Sequence, residues 1–228
     1  MEKLIEYSPL LARGALVTIA LALIALALAT LLGGLAAAAR IAGGRLGQGV
    51  VLVYTSIVRG VPDLVMILLI YFGGQRLLNL SLAPFGLQAS LSPFWAGVIA
   101  IGIIYGAYLA ETFRGAYMTV PRGQIEAGQS LGLRGLALVW NVILPQLVRF
   151  ALPGYGNVWQ VLVKSTAVVS VIGLSDLVGL ANDAGKTARE PFIFLSAVML
   201  VYLAITWVSS NALGMLERRV ALKGHHAR

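Results

Sequence analysis

The sequence predicts an all-α, polytopic membrane protein with about five transmembrane helices and one polar loop between the third and fourth. Three observations predict it. Of 228 residues, 59% are hydrophobic and only 11% charged, against roughly 25% charged in an ordinary soluble domain. That leaves too little polar surface to cover a water-soluble fold. The apolar residues fall into five runs, each long enough to cross a hydrocarbon core of ~30 Å at ~1.5 Å per helical residue. Finally, Lys and Arg punctuate the ends of those runs, as the positive-inside bias requires.

The formal charge of +8 does not point to nucleic acid, because the basic residues make no patch on a soluble face. The chain contains no cysteine, which excludes a disulfide framework, thiolate chemistry and a cysteine-held metal. His225 and His226 sit in the C-terminal tail and read as solvated residues rather than metal ligands, so no metal site is expected.

The first span covers about residues 14–39 and carries no charge. Ala37-Ala38-Ala39 imitates a signal-peptide cleavage site, but the apolar run far exceeds the 7–15 residues of a leader's core, and Glu2 and Glu6 spoil a basic start. It is expected to be a retained helix. The second span covers about 50–74, the third 94–117, the fourth 152–172 and the fifth 192–215, all in a single transmembrane domain, 1–228. With the N-terminus outside, the inner loops and tail hold Arg40, Arg45, Arg114, Arg122, Arg134, Arg149, Arg218, Arg219, Lys223 and Arg228. The outer segments hold only Lys3, Arg13, Arg76, Lys186 and Arg189. The bias therefore predicts a periplasmic N-terminus and a cytoplasmic C-terminus.

The polar interruption, about 121–145, is then cytoplasmic. Pro121 suits the start of a helix. Arg122 to Leu131 are mostly helix formers, and Gly132 falls where a left-handed C-terminal residue is needed. A second helical run, about Arg134 to Ile143, is expected to stop at Leu144-Pro145. On chemistry alone this helix, glycine turn and helix suits either a protein-docking surface or an amphipathic segment lying on the membrane.

The spacing resembles a known pattern. Glu126-Ala127-Gly128, three residues, Gly132, nine residues, then Val142-Ile143-Leu144-Pro145 is similar to the EAA loop of ABC importer permeases: Glu-Ala-Ala, three residues, Gly, nine residues, Ile, any residue, Leu-Pro. Gly128 replaces the second Ala and Val142 the Ile. The stretches "YTSIVRGVPDLVMILLIYFG", "IYGAYLAETFRGAYMTVPRGQIEA", "LPGYGNVWQVLVKSTAVVSVIGL" and "AGKTAREPF" extend the resemblance over nearly the whole chain, to the polar amino acid permease family and, within it, to Q-type subunits of histidine/lysine/arginine/ornithine importers.

The resemblance implies a permease subunit in a bacterial inner membrane. It implies that Pro121, Glu126, Ala127, Gly128, Gly132, Leu144 and Pro145 belong to the coupling loop that docks into a groove on a cytoplasmic ATPase dimer. It also implies a periplasmic substrate-binding protein, a second permease subunit of the M type, and an amino acid cargo, basic or histidine. Opines and neutral polar amino acids are the alternative cargoes. From other classes, a membrane scaffold subunit or a passive channel would share the apolar spans.

The chain itself is not expected to be an enzyme or to bind a cofactor. ATP and Mg would act on the partner ATPase. "GLANDAGKT", 179–187, approaches a phosphate-binding loop, but Leu180 stands where the first glycine is needed. It reads as an outer loop.

Four charged residues lie well inside the expected spans, away from the span ends: Arg59, Asp63, Glu111 and Lys164. Each costs roughly 2.5–3.5 kcal/mol at a helix centre, so none should face lipid. Arg59 and Asp63 are four residues apart, with Gly60 and Pro62 between them to break the helix. They are either a structural ion pair or part of the transport pathway. Glu111 either pairs with Arg114, three residues on, or attracts a cationic side chain. Lys164 suits a carboxylate, that of Asp63, Glu111 or the substrate. Gly102 and Gly106 form a GxxxG face expected to serve close helix packing.

Overall fold

A computed structural model describes residues 2–87 and 89–220. It is built from helices: α1 (Glu2–Glu6), α2 (Ser8–Ala42), α3 (Arg45–Gly60), α4 (Asp63–Phe85), α5 (Pro93–Thr119), α6 (Arg122–Ser130), α7 (Gly135–Ile172), α8 (Leu177–Ala188) and α9 (Pro191–Val220). Five of these, α2, α4, α5, α7 and α9, are long and apolar enough to cross a membrane. His225, His226, Lys223 and Arg228 lie outside the described residues.

The second apolar helix begins at Asp63, later than the Val50 expected from hydropathy. Val61 takes an extended conformation, φ −107° and ψ 138°, between α3 and α4. The ring of Pro62 disfavours helical geometry in the residue before it, so the chain breaks there. α3 is left as a separate helix leading up to the break.

A second departure concerns Leu144-Pro145, which does not end a helix. α7 runs unbroken from Gly135 to Ile172. A π-helical turn over Val139–Ile143 stands just ahead of the proline, and the Leu144 amide bonds back to the Val139 carbonyl. Widening the turn relieves the helix where the proline lacks an N–H and its ring crowds the preceding turn. At 38 residues, α7 is about 57 Å long, nearly twice the hydrocarbon thickness.

The segment 179–187 is also not a loop. It forms most of α8, which packs on α9 and α2. Its amides are spent on helical bonds or, at Gly179, on the Asp176 side chain, so it offers no phosphate cradle.

α5 is the central helix. It packs most extensively against α2 and next against α7. Where water supplies no drive for apolar helices to associate, small residues let the backbones approach. A Cβ on Gly102 would come 2.5 Å from Leu28 Cδ2, and one on Gly106 would come 3.0 Å from the Tyr54 hydroxyl and 3.1 Å from Leu32 Cβ. The GxxxG face is thus the seam between α5 and its neighbours α2 and α3. Leu21, Ala25 and Ala29 of α2 fill the core with Ile101, Ile104 and Leu109 of α5. Leucines on the other side of α2, among them Leu16, Leu31 and Leu35, are exposed and suit contact with lipid tails.

At the end of the bundle opposite α6, Asp176 caps α8. Its Oδ1 accepts from the Gly179 amide at 2.9 Å. Its Oδ2 is buried with no hydrogen-bond partner among the described residues. Burial pushes this carboxyl up to about 6, only partly opposed by the backbone amides around it. Because the native pKa lies above the unfolded one, the native state holds the proton more tightly. The Asp176 contribution is therefore most favourable below about pH 4 and is lost as the pH rises through about 6. Asp176→Asn keeps the capping oxygen and removes the charge. Thermal unfolding at pH 5 and pH 7.5 is expected to show the variant gaining on the parent at the higher pH; an unchanged difference would refute this.

Candidate functional site

Two polar regions stand out against the apolar body: the turn between α5 and α7, and a cluster half-way along α5.

In the first region, Pro121 is extended, ψ 128°, immediately before α6. The helix closes with Gly132 at φ 83°, and the Leu133 amide reaches back to the Gly128 carbonyl at 3.0 Å. This is the left-handed glycine ending the spacing predicts. Gly128 is buried, and a Cβ there would lie 2.7 Å from Leu138 Cδ1 and 3.1 Å from Val142 Cγ2. α6 thus rests directly on the start of α7 through a residue with no side chain. Glu126 and Ala127 are exposed on the free side, and no ion pair of Glu126 occurs among the described residues. Leu131, Leu136 and Trp140 are exposed beside them. Pro145 is exposed and Leu144 half-buried in α7, not on the α6 surface.

In the second region, Asp63 begins α4 and faces α5 and α7. Its Oδ2 lies 2.8 Å from the Tyr105 hydroxyl and 3.0 Å from Ser165 Oγ, and the two hydroxyls also touch each other, so two hydroxyl protons are shared among three contacts. Arg59 does not pair with Asp63, because the break at Val61-Pro62 takes the two off a common helical face. Its guanidinium lies 5.3 Å from the centre of the Tyr108 ring, which stacks on Tyr105 with ring centres 5.6 Å apart. Lys164 is exposed at this level and makes no ion pair with Asp63 or Glu111.

Glu111 lies further along α5, towards α6. Its Oε2 accepts from Arg114 Nε at 2.9 Å and its Oε1 is bonded by Arg40 Nη1 of α2. The local Glu111–Arg114 pair is the one the spacing predicts; Arg40 is the addition. With both oxygens occupied, Glu111 is a clasp between α2 and α5 rather than an open acceptor. It borders a polar cavity of about 540 Å³ lined also by Thr55, Ser56, Arg59 and Tyr108. Glu111→Ala would leave two arginines facing each other in a half-buried setting. The loss expected is about 2 kcal/mol, below the 3–5 kcal/mol of a fully buried pair. Glu111→Gln should lose less, and thermal unfolding in one detergent compares them.

Sequence reasoning missed Tyr105, Tyr108 and Ser165. Aromatic and hydroxyl residues inside apolar spans carry no charge signal, although Ser165 does adjoin Lys164.

Comparison with known proteins shows the family. The family model for the binding-protein-dependent transport system inner membrane component matches residues 29–222. The chain belongs to this family. Among its relatives, the histidine/lysine/arginine/ornithine transport system permease protein HisQ of Salmonella typhimurium is 44% identical over 217 residues, covering 95% of each chain. The octopine transport system permease protein OccQ of Rhizobium radiobacter is 37% identical, covering 91% of this chain and 88% of that one. A crystal structure of an amino acid ABC transporter with histidines matches with a TM-score of 0.78 at 34% identity, over 95% of this chain and 96% of that chain. The five-span, all-helical permease fold expected from the sequence is therefore the family's own.

Proposed function

We propose that this chain is the Q-type permease subunit of an ATP-driven importer of basic amino acids or histidine in a bacterial inner membrane, with its N-terminus periplasmic and α6 in the cytoplasm. One observation carries the reading: the exposed Glu126 surface and the mid-bundle cluster are joined by a single helix. α6 bears on the start of α7 at Gly128, and the same helix holds Ser165 against Asp63, next to Lys164. From Gly135 to Lys164 is about 43 Å of helix, so a push on α6 moves the cluster without relying on a flexible linker.

The motor is a separate ATPase dimer whose groove receives Glu126, Ala127 and Gly132, with Leu131, Leu136 and Trp140 supplying apolar contact. ATP and Mg act there and not on this chain. A periplasmic binding protein delivers the cargo at the opposite end. Arg59 and Lys164 are exposed at mid-bundle depth, where facing lipid is costly. They therefore face a second, M-type permease subunit and a water-filled path between the two. The pair suits the carboxylate of an amino acid. Asp63 Oδ1, which makes no hydrogen bond among the described residues, suits its cationic group.

The test is uptake into vesicles carrying the whole reconstituted complex, with radiolabelled arginine, lysine, ornithine, histidine, glutamine and octopine. Saturable, ATP-dependent uptake of the basic amino acids or histidine is expected. Preferential uptake of octopine or glutamine would overturn the cargo, and uptake without the ATPase would favour a passive channel.

A further inference from the structure

Two cavities meet at the end of the bundle where α2 and α5 finish. One, about 520 Å³, is lined by Arg40, Arg45, Gln48 and Arg114 together with Ile41 and Tyr117. The other, about 630 Å³, is an apolar groove between α2, α5 and α7, lined by residues such as Gly34, Ala38, Phe113, Val139 and Leu147. Ile41 and Tyr117 wall both.

The basic cavity holds three arginines against one neighbouring carboxylate, Glu111, whose two oxygens are already taken by Arg40 and Arg114. Arg45 is exposed and makes no ion pair among the described residues. No acidic residue stands in the first turn of α3. A net positive charge therefore faces outward with no further carboxylate among the described residues to meet it. The groove is the chemical opposite. Two of its hydroxyls, Thr30 and Tyr155, bond to each other at 3.0 Å; a third, Tyr117, stands at the edge shared with the basic cavity, and the rest of the wall is aliphatic or aromatic. A water-soluble anion would satisfy the first cavity and leave the second empty; an apolar molecule would do the reverse.

We infer that the two cavities together bind one anionic phospholipid, its phosphate held by Arg40, Arg45 and Arg114 and one acyl chain laid over the Ile41–Tyr117 wall into the groove. Basic pockets between transmembrane helices on the cytoplasmic side suit anionic headgroups, and on the orientation proposed above this end of the bundle lies at the cytoplasmic leaflet. The inference rests on that reading for the leaflet alone; the headgroup and chain chemistry stand without it. The acyl chain would touch Val139 and Ile143 in the π-turn that joins the α6 surface to α7, so the lipid would brace the segment on which the ATPase acts.

The experiment is native mass spectrometry of the detergent-solubilised complex titrated with phosphatidylglycerol or phosphatidylcholine of equal chain length, with inorganic phosphate as competitor. Two variants leave the Glu111 clasp intact. Arg45→Ala removes the unpaired cation. Gly34→Leu fills the groove, and a Cβ at Gly34 meets nothing within 4 Å, so the helix accommodates it. Phosphatidylglycerol should be retained in preference to phosphatidylcholine. Arg45→Ala should weaken phosphatidylglycerol about fivefold, as expected for one basic residue at an anionic surface. Gly34→Leu should weaken it too, while a short-chain analogue is spared.

Equal retention of the two lipids would overturn the inference. So would competition by millimolar phosphate, which would indicate a free-anion site, or an Arg45→Ala variant that sheds the ATPase and keeps its lipid. Because lipid retention is read separately from uptake, failure here leaves the transport reading standing, and failure of transport leaves the lipid result readable.

Discussion

Glu126→Lys is expected to reduce ATP-dependent uptake at least about 100-fold while the protein inserts and unfolds as the parent does. The side chain is exposed and makes no ion pair within the described chain. Lysine is as good a helix former as glutamate, so the fold should change by no more than about 0.5 kcal/mol, as for an ordinary surface substitution. On the reading proposed above, the effect appears at the partner. Truncating one member of a hydrogen-bonded charge pair across an interface costs 2–5 kcal/mol or more, and reversing the charge adds repulsion. At about 1.4 kcal/mol per tenfold, the upper half of that range alone exceeds 100-fold. Three measurements decide it: the melting temperature, the ATPase retained on purification, and uptake into vesicles. Normal uptake by the Glu126→Lys variant would remove Glu126 from the coupling surface. Loss of uptake with a fallen melting temperature would make its role structural.

The contrast between Glu126 and the mid-bundle charges also explains what the sequence could reveal. Signals built into a single stretch of chain were legible. Four of the five apolar runs lie within single long helices, the second being split at Val61-Pro62; Gly132 takes the left-handed conformation its position demands, and Gly102 and Gly106 lie on a tight seam. What escaped depends on residues far apart in the chain. Arg40 reaches Glu111 across 71 positions, and Ser165 reaches Asp63 across 102; no local period encodes either. Proline was over-read at Pro145, where one widened turn accommodates it, and correctly read as a breaker at Pro62. Arg59 and Asp63 illustrate the cost of a helical assumption. The i, i+4 rule holds only while the helix does, and the break it was applied across sends the two side chains to different partners.

That break gives Asp63 its position, and the second large effect is expected there. A carboxylate at the first residue of α4, in contact with hydroxyls of α5 and α7, sits where three helices meet. Asp63→Ala should abolish uptake of basic amino acids, to less than about one part in 100. Its effect on folding should be modest, because the Tyr105 and Ser165 hydroxyls remain bonded to each other; about 1–2 kcal/mol for the lost charged acceptor is the expected scale. Asp63→Asn separates the two roles this residue can play. The amide preserves an oxygen for Tyr105 and Ser165, so a purely structural Asp63 would tolerate it, with uptake near that of the parent. If the free Oδ1 meets the cationic group of the cargo, losing the charge should raise KM for arginine and lysine by about tenfold, some 1.4 kcal/mol, and should spare the binding protein's own affinity. Measuring KM and the maximal rate separately in vesicles distinguishes the outcomes. A fall in maximal rate with KM unchanged would mean that Asp63 coordinates helix movement and does not touch the substrate, and cargo contact from this chain would then rest on Arg59 and Lys164 alone.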